Sequence, residues 1–322
     1  MKKFQTIFAC AVLAALASCS NEHELSQQSA EDTPIRIQAN VGGITTKAAS
    51  NIQGTQFDNN ESVNVYIYEN TTGGSATYTY GTNGLLTCTA KSGGQLSFSA
   101  PQYFPANGNG IDVYGIYPNS VKENLSSQDF SVDTDQSDAT KYKASDLMYA
   151  ACQSNKKKGE NIQLTFKHKL AKVIVILKKG DGLKDGDLNN AEVKITNTYV
   201  KCSIDKVDKT TFGTITASTE AVDKKAITVG NWSTASNNES NGIAAIVVPQ
   251  TVSKGTQLFE VKLSNNAVYK YTIPSDASDD VVFTQENVHT YTLTLTTSGI
   301  SVTSSIKDWT PGTGGSGEAT LN

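Results

Sequence analysis

Only three histidines, His23, His168 and His289, occur among the 322 residues. There is no His-Glu-x-x-His pair for zinc, no Gly-x-Ser-x-Gly nucleophile elbow and no Gly-x-x-x-x-Gly-Lys phosphate loop. These absences do not exclude an enzyme, but they leave no positive reason to propose a catalytic site, a metal or a cofactor. A basic excess is also lacking: 27 Lys and Arg stand against 31 Asp and Glu, for a formal charge of -4. Nucleic-acid binding, which needs a face that neutralises phosphates, is therefore disfavoured. No apolar run reaches the ~20 residues that a membrane-spanning helix requires. Long amphipathic helical patterns are missing too. Cysteine is sparse, and beyond residue 19 only Cys88, Cys152 and Cys202 remain, an odd number without metal-ligand spacing. A disulfide scaffold is excluded. One bridge stays open, but Cys88 and Cys202 lie in strand-like runs, which favours buried free thiols.

What the chain has in abundance is β pattern. Thr290 to Thr296 alternates without a fault, with Tyr291, Leu293 and Leu295 on one face and four threonines on the other. Val63, Val65 and Ile67 oppose Asn64, Tyr66 and Tyr68 in the same way, and Tyr269, Tyr271 and Ile273 repeat it. Lys172 to Leu177 is apolar on both parities, as in a central strand covered on each side. Asn-Gly, Gly-Gly and Asp-Gly pairs punctuate these runs. The expected fold class is all-β, with antiparallel sheets paired into sandwiches.

The N-terminus reads as a leader. Lys2-Lys3, an apolar run from Phe4 to Leu16 and the small residues Ala17-Ser18 make a secretory signal. Leu16-Ala17-Ser18-Cys19 resembles the lipobox of bacterial lipoproteins. That resemblance implies cleavage between Ser18 and Cys19 and acylation of Cys19, with enough acyl chains for stable anchoring. An ordinary signal peptide with an incidental cysteine is the alternative. Residues 20 to 33 are polar and suit a flexible spacer with a coil reach of about 20 Å. A second polar interruption, Ser154 to Asn161, divides the remainder. The expected organisation is thus a signal peptide 1–18, a tether 19–33, a first domain 34–158 and a second 159–322. A long hairpin within one sheet system would explain the same interruption.

Three residue sets are weighed for chemistry. His168 shares a strand face with Phe166 and Leu170, and a hydrogen-bonded core histidine is preferred to a catalytic one. Asp181 to Glu192 supplies oxygen side chains at positions 1, 5, 9 and 12 of a calcium loop and glycine at 6, but Leu183 fails position 3. Its strand-like flanks favour a solvated hairpin turn. Tyr66, Tyr68, Tyr78, Tyr80, Tyr103, Tyr114 and Tyr117 crowd the first half. Cross-strand pairing explains them, and stacking on a sugar or anchoring a partner is the alternative.

A set of short stretches, in order, resembles the fimbrillin family of Bacteroidales, the subunits of major and minor fimbriae. These are Ile44-Thr45-Thr46-Lys47-Ala48, Ala100 to Pro105 leading into Ile111 to Pro118, Ser145 to Ala150, Leu164 to Val173, and Ile306-Lys307-Asp308-Trp309. The resemblance implies two tandem transthyretin-like β-sandwich domains, export as an outer-membrane lipoprotein to the cell surface, and assembly into adhesive fimbriae. It also implies a mechanism. A protease cuts after a basic residue near the end of the first strand, and a neighbouring subunit's strand fills the groove left behind. Here Lys47-Ala48 occupies the cleavage position, or is only an exposed loop. Ile35, Ile37, Ala39 and Val41 alternate with Arg36, Gln38 and Asn40 as a removable edge strand would. The implied partners are other fimbrial subunits by strand exchange, the outer membrane through the lipid, and a host or bacterial surface receptor. Thr310 to Gly317 is linker chemistry, so a tip, anchor or accessory role is as open as a shaft role. A surface glycan-binding lipoprotein that does not polymerise is the competing reading.

Overall fold

The computed structural model describes residues 33–42, 56–71, 79–231 and 243–308. Its regular structure is almost wholly β. In chain order the strands are β1 (Ile37–Val41), β2 (Ser62–Asn70), β3 (Leu85–Ala90), β4 (Gln95–Ser97), β5 (Gly110–Tyr117) and β6 (Gln128–Ser131). A short α-helix, α1 (Ala139–Ala144), precedes β7 (Met148–Lys156) and β8 (Ile162–His168). Seven of these strands close into a barrel in the order β1-β4-β3-β2-β5-β7-β8. The inward parity of each strand fills it: Val63, Val65, Ile67, Val113, Ile162, Leu164 and Phe166 are all at most 1% exposed and share one apolar cluster. The first unit is therefore a closed barrel, because β1 joins the two ends of what would otherwise be an open sheet.

The second half contains β9 (Ala171–Lys179), β10 (Glu192–Tyr199), β11 (Lys201–Ile204), β12 (Ile215–Ala217), β13 (Lys224–Asn231) and β14 (Ile243–Val247). It continues with β15 (Gln250–Val252), β16 (Gln257–Lys262), β17 (Val268–Thr272), β18 (Val281–Phe283), β19 (Asn287–Thr296) and β20 (Gly299–Asp308). Two four-stranded sheets, β14-β9-β19-β20 and β13-β10-β16-β17, share a core. Phe259 of one meets Tyr291 of the other edge-on at 5.0 Å. The expected alternation of β19 is present, with Tyr291, Leu293 and Leu295 buried and the intervening threonines half-buried. β9, apolar on both parities, lies between β14 and the parallel β19.

Residues 119–137 tie the halves together. β6 leaves the barrel and pairs with β11, so a strand from the first half completes a sheet of the second. Farther along, Gln136 acts as a substitute strand: its amide accepts from the Ile246 N–H at 2.7 Å and donates to the Ile246 carbonyl at 2.8 Å. The same residue's N–H donates to Thr228 O at 2.9 Å, so one short segment covers the edges of both β13 and β14. Covered edges cannot recruit stray strands.

The structure places two stretches weighed in the sequence. Ser154 to Asn161 takes in the end of β7 and the turn into β8, two strands that pair antiparallel in the barrel with Met148 opposite His168, as in a hairpin within one sheet system. A polar hairpin tip and a polar linker have the same composition. The stretch Asp181 to Glu192 is a run of turns, but it connects β9 of one sheet to β10 of the other and is not a hairpin. Among the described residues no cluster of three His, Cys, Asp or Glu side chains is placed to hold a metal.

Cys88, Cys152 and Cys202 are free thiols. Burial pushes the Cys88 and Cys202 thiols up to about 12, leaving them unreactive, whereas Cys152 is only half-buried. Iodoacetamide treatment of the native protein, read by peptide mass spectrometry, should alkylate Cys152 and leave the other two intact until denaturant is added. Equal labelling of all three would contradict this packing.

Candidate functional site

The first described segment builds the site. Residues alternate so that Ile35, Ile37, Ala39 and Val41 are at most 4% exposed while Arg36 and Gln38 face water. This is the alternation read from the sequence. The neighbours are different, because β1 is not at an edge. On one side it runs parallel to β8 over five pairs, from Ile37–Ile162 to Val41–Phe166. On the other it meets β4 antiparallel through Ile37–Leu96 and Gln38–Gln95.

Backbone bonds extend the grip beyond the strand. Ile35 N–H donates to Gln102 O at 2.7 Å, and Gly42 N–H donates to Phe166 O at 2.8 Å. Pro34 bridges to Tyr103, whose carbonyl accepts from the Tyr80 hydroxyl at 2.8 Å. Gly94, at φ +79°, brings the turn before β4 against β1; a Cβ there would lie 2.6 Å from the Ala39 carbonyl, so only glycine permits the approach. The buried side chains of β1 belong to the same apolar cluster as Val63, Val65, Cys88, Ala90, Leu96 and Phe166. Burying an Ile or Val side chain is worth about 1.5–3 kcal/mol, so β1 is a substantial part of the barrel's stability. Removing it would uncover unpaired main-chain groups on β8 and β4 above an apolar floor, an arrangement that accepts an extended strand.

The remaining sequence candidates are placed as follows. Ser18, Cys19, Lys47, Ala48, Tyr78 and Trp309 lie outside the described residues. His168 is a buried core residue: its Nδ1 is 2.8 Å from Asp146 Oδ1 and both side chains are 3% exposed. Lys172 is buried as well, and desolvation brings its ammonium down to about 8 against the opposing pull of Asp146. Tyr66 and Tyr114 are a cross-strand pair on β2 and β5, stacked at 4.9 Å and almost wholly buried. Tyr66 is therefore not an outward platform. Its cover is the loop after β5, where Asn64 Nδ2 donates to Asn119 O and Val121 O and the Glu123 N–H donates to the Tyr66 hydroxyl. The partner that sequence reasoning missed is β8. Ile162, Leu164 and Phe166 show its alternation, but nothing local states that β1 will lie beside it.

Relatives share this architecture. A crystal structure of a "putative cell adhesion protein" from Bacteroides uniformis is similar at TM-score 0.60 and 21% identity, covering 87% of this chain and 100% of that one. Another, from Bacteroides ovatus, is similar at TM-score 0.62 and 16% identity, covering 88% and 99%. In sequence, the Bacteroides uniformis protein "Putative fimbrium subunit Fim1C" is 27% identical over 326 residues, spanning 98% of each chain. The family model described as fimbrillin-like matches residues 46–309. With most of its length matched in this way, the chain belongs to the fimbrillin-like family.

Proposed function

We propose that this protein is a non-catalytic structural or adhesive subunit of a cell-surface fimbria, and that β1 is a plug released during assembly. The observation that carries the reading is the insertion of β1 between β4 and β8, with its three apolar side chains Ile37, Ala39 and Val41, and Ile35 just before them, in the barrel core. In this reading the barrel is the first of two tandem transthyretin-like sandwiches, temporarily closed by a strand of its own. Cleavage between Lys47 and Ala48 would detach that strand. A strand from a neighbouring subunit would then fill the slot, with main-chain bonds supplying affinity and alternate side chains supplying specificity. Two findings support it: the family match starts at residue 46 and so leaves β1 out, and a relative aligned over 98% of its length is named as a fimbrium subunit. Cys19 would hold the precursor at the outer membrane through its lipid, and residues 20–33 would space it from the surface.

The test compares two purified forms by size-exclusion chromatography and electron microscopy. A chain beginning at residue 20 should be monomeric, and one beginning at Ala48 should form dimers and fibres. A folded, strictly monomeric product from Ala48 would argue against strand exchange.

A further inference from the structure

We propose that the pocket between β2, the start of β3 and the loop after β5 binds a neutral saccharide, a property that goes beyond assembly. The pocket encloses about 820 Å³, within the range of small-molecule sites. Its back wall is a set of aromatic rings. Tyr66 and Tyr68 both lie parallel to Tyr114, at 4.9 and 6.4 Å with interplanar angles of 11°. Gly84, at φ +82°, lets the Tyr68 ring lie against the turn; a Cβ there would come within 2.7 Å of the ring. The phenols gather at Glu123. Tyr68 Oη donates to Glu123 Oε2 and lies 2.9 Å from the Asn83 carbonyl, while Tyr66 Oη accepts from the Glu123 N–H at 2.7 Å. Behind them Tyr114 is fully buried; burial and the Glu123 charge both raise the pKa of its hydroxyl.

The front wall is equally fixed. Asn124 exchanges two backbone hydrogen bonds with Val207, at 2.9 and 2.8 Å, so the loop is pinned to the second half of the molecule. The next residue, Leu125, is held at the mouth with 75% of its surface exposed, although no packing role requires it there. Preformed walls spare a ligand the ordering of the site.

The chemistry selects the ligand class. The charged lining residues, Lys122 and Glu123, are adjacent and opposite in sign, so the pocket has no net charge to attract an ion. The polar residues Tyr68, Thr82, Asn83, Thr87 and Asn124 line the same space as the leucines Leu85 and Leu125. A wholly apolar ligand would strip water from those polar groups without replacing their hydrogen bonds. A sugar ring offers both an apolar C–H face and a rim of hydroxyls. The tyrosines then act through their hydroxyl ends and not as an open stacking surface.

The test is a printed array carrying neutral, N-acetylated and sialylated oligosaccharides, probed with the labelled protein beginning at residue 20. Three variants accompany it, each checked for an unchanged melting temperature: Glu123→Gln and Leu125→Asp in the pocket, and Val222→Asp, equally exposed elsewhere, as control. The expected result is retention of neutral oligosaccharides, weakened at least tenfold by each pocket variant and unchanged in the control. Retention of no neutral glycan, retention unaffected by both pocket variants, or retention of sialylated glycans alone would overturn the assignment.

Discussion

Replacing Ile37 with aspartate should open the barrel. Ile37 is fully buried and touches both neighbours of β1, opposite Ile162 on β8 and Leu96 on β4. The substitution removes a core side chain, worth about 2–5 kcal/mol, and places a carboxylate in a buried apolar cluster. A total loss above about 4 kcal/mol is expected, against a typical domain stability of about 5–15 kcal/mol. Urea unfolding followed by circular dichroism measures it. Arg36→Ala and Gln38→Ala, on the exposed face of the same strand, should stay within about 0.5 kcal/mol of the parent. If Ile37→Asp proved as mild as those two, β1 would not be the member that completes the barrel.

Acid should weaken the second half through His289. This side chain is 0% exposed, its Nε2 accepts from the Thr284 N–H at 3.0 Å, and its Nδ1 is buried with no partner. Phe283 packs edge-on against the ring at 5.5 Å. Desolvation brings the imidazole down to about 4 from its ordinary 6.5, with the Thr284 bond opposing. The unfolded chain therefore takes up a proton at His289 near pH 6.5, and the folded protein takes it up only near pH 4. Between those values the unfolded state binds more protons, so stability falls as pH drops through that window. The full loss from this one group is about 3 kcal/mol. Melting temperatures measured from pH 7 to 4 should show the decline, and His289→Gln, which retains an acceptor for Thr284, should flatten it. A parent protein equally stable at both ends would contradict the account.

How much of this was legible in the sequence follows from what a periodic pattern encodes. Alternation states which face of a strand is buried, and it matches the burial of β1 and of Thr290 to Thr296 in β19 residue by residue. It does not name the partner. Ile37 and Ile162 lie side by side although more than a hundred residues separate them, and no local signal distinguishes that parallel pairing from an exposed edge. The same gap leaves a polar hairpin tip such as that between β7 and β8 indistinguishable in sequence from a linker. Tyr66 is the cross-strand partner of Tyr114, as the preferred reading of the tyrosines has it, but no local signal shows that a loop more than fifty residues later covers it through Asn64 and Glu123. Of the candidate site, the strand was visible in the alternation and the slot that receives it was not.

The central claim is that β1 is present in the precursor and absent from the assembled subunit. N-terminal sequencing of the polymer recovered from the cell surface tests it most directly. A start at Ala48 is predicted. A polymer whose subunits begin at Cys19, with residues 33–42 still attached, would contradict it.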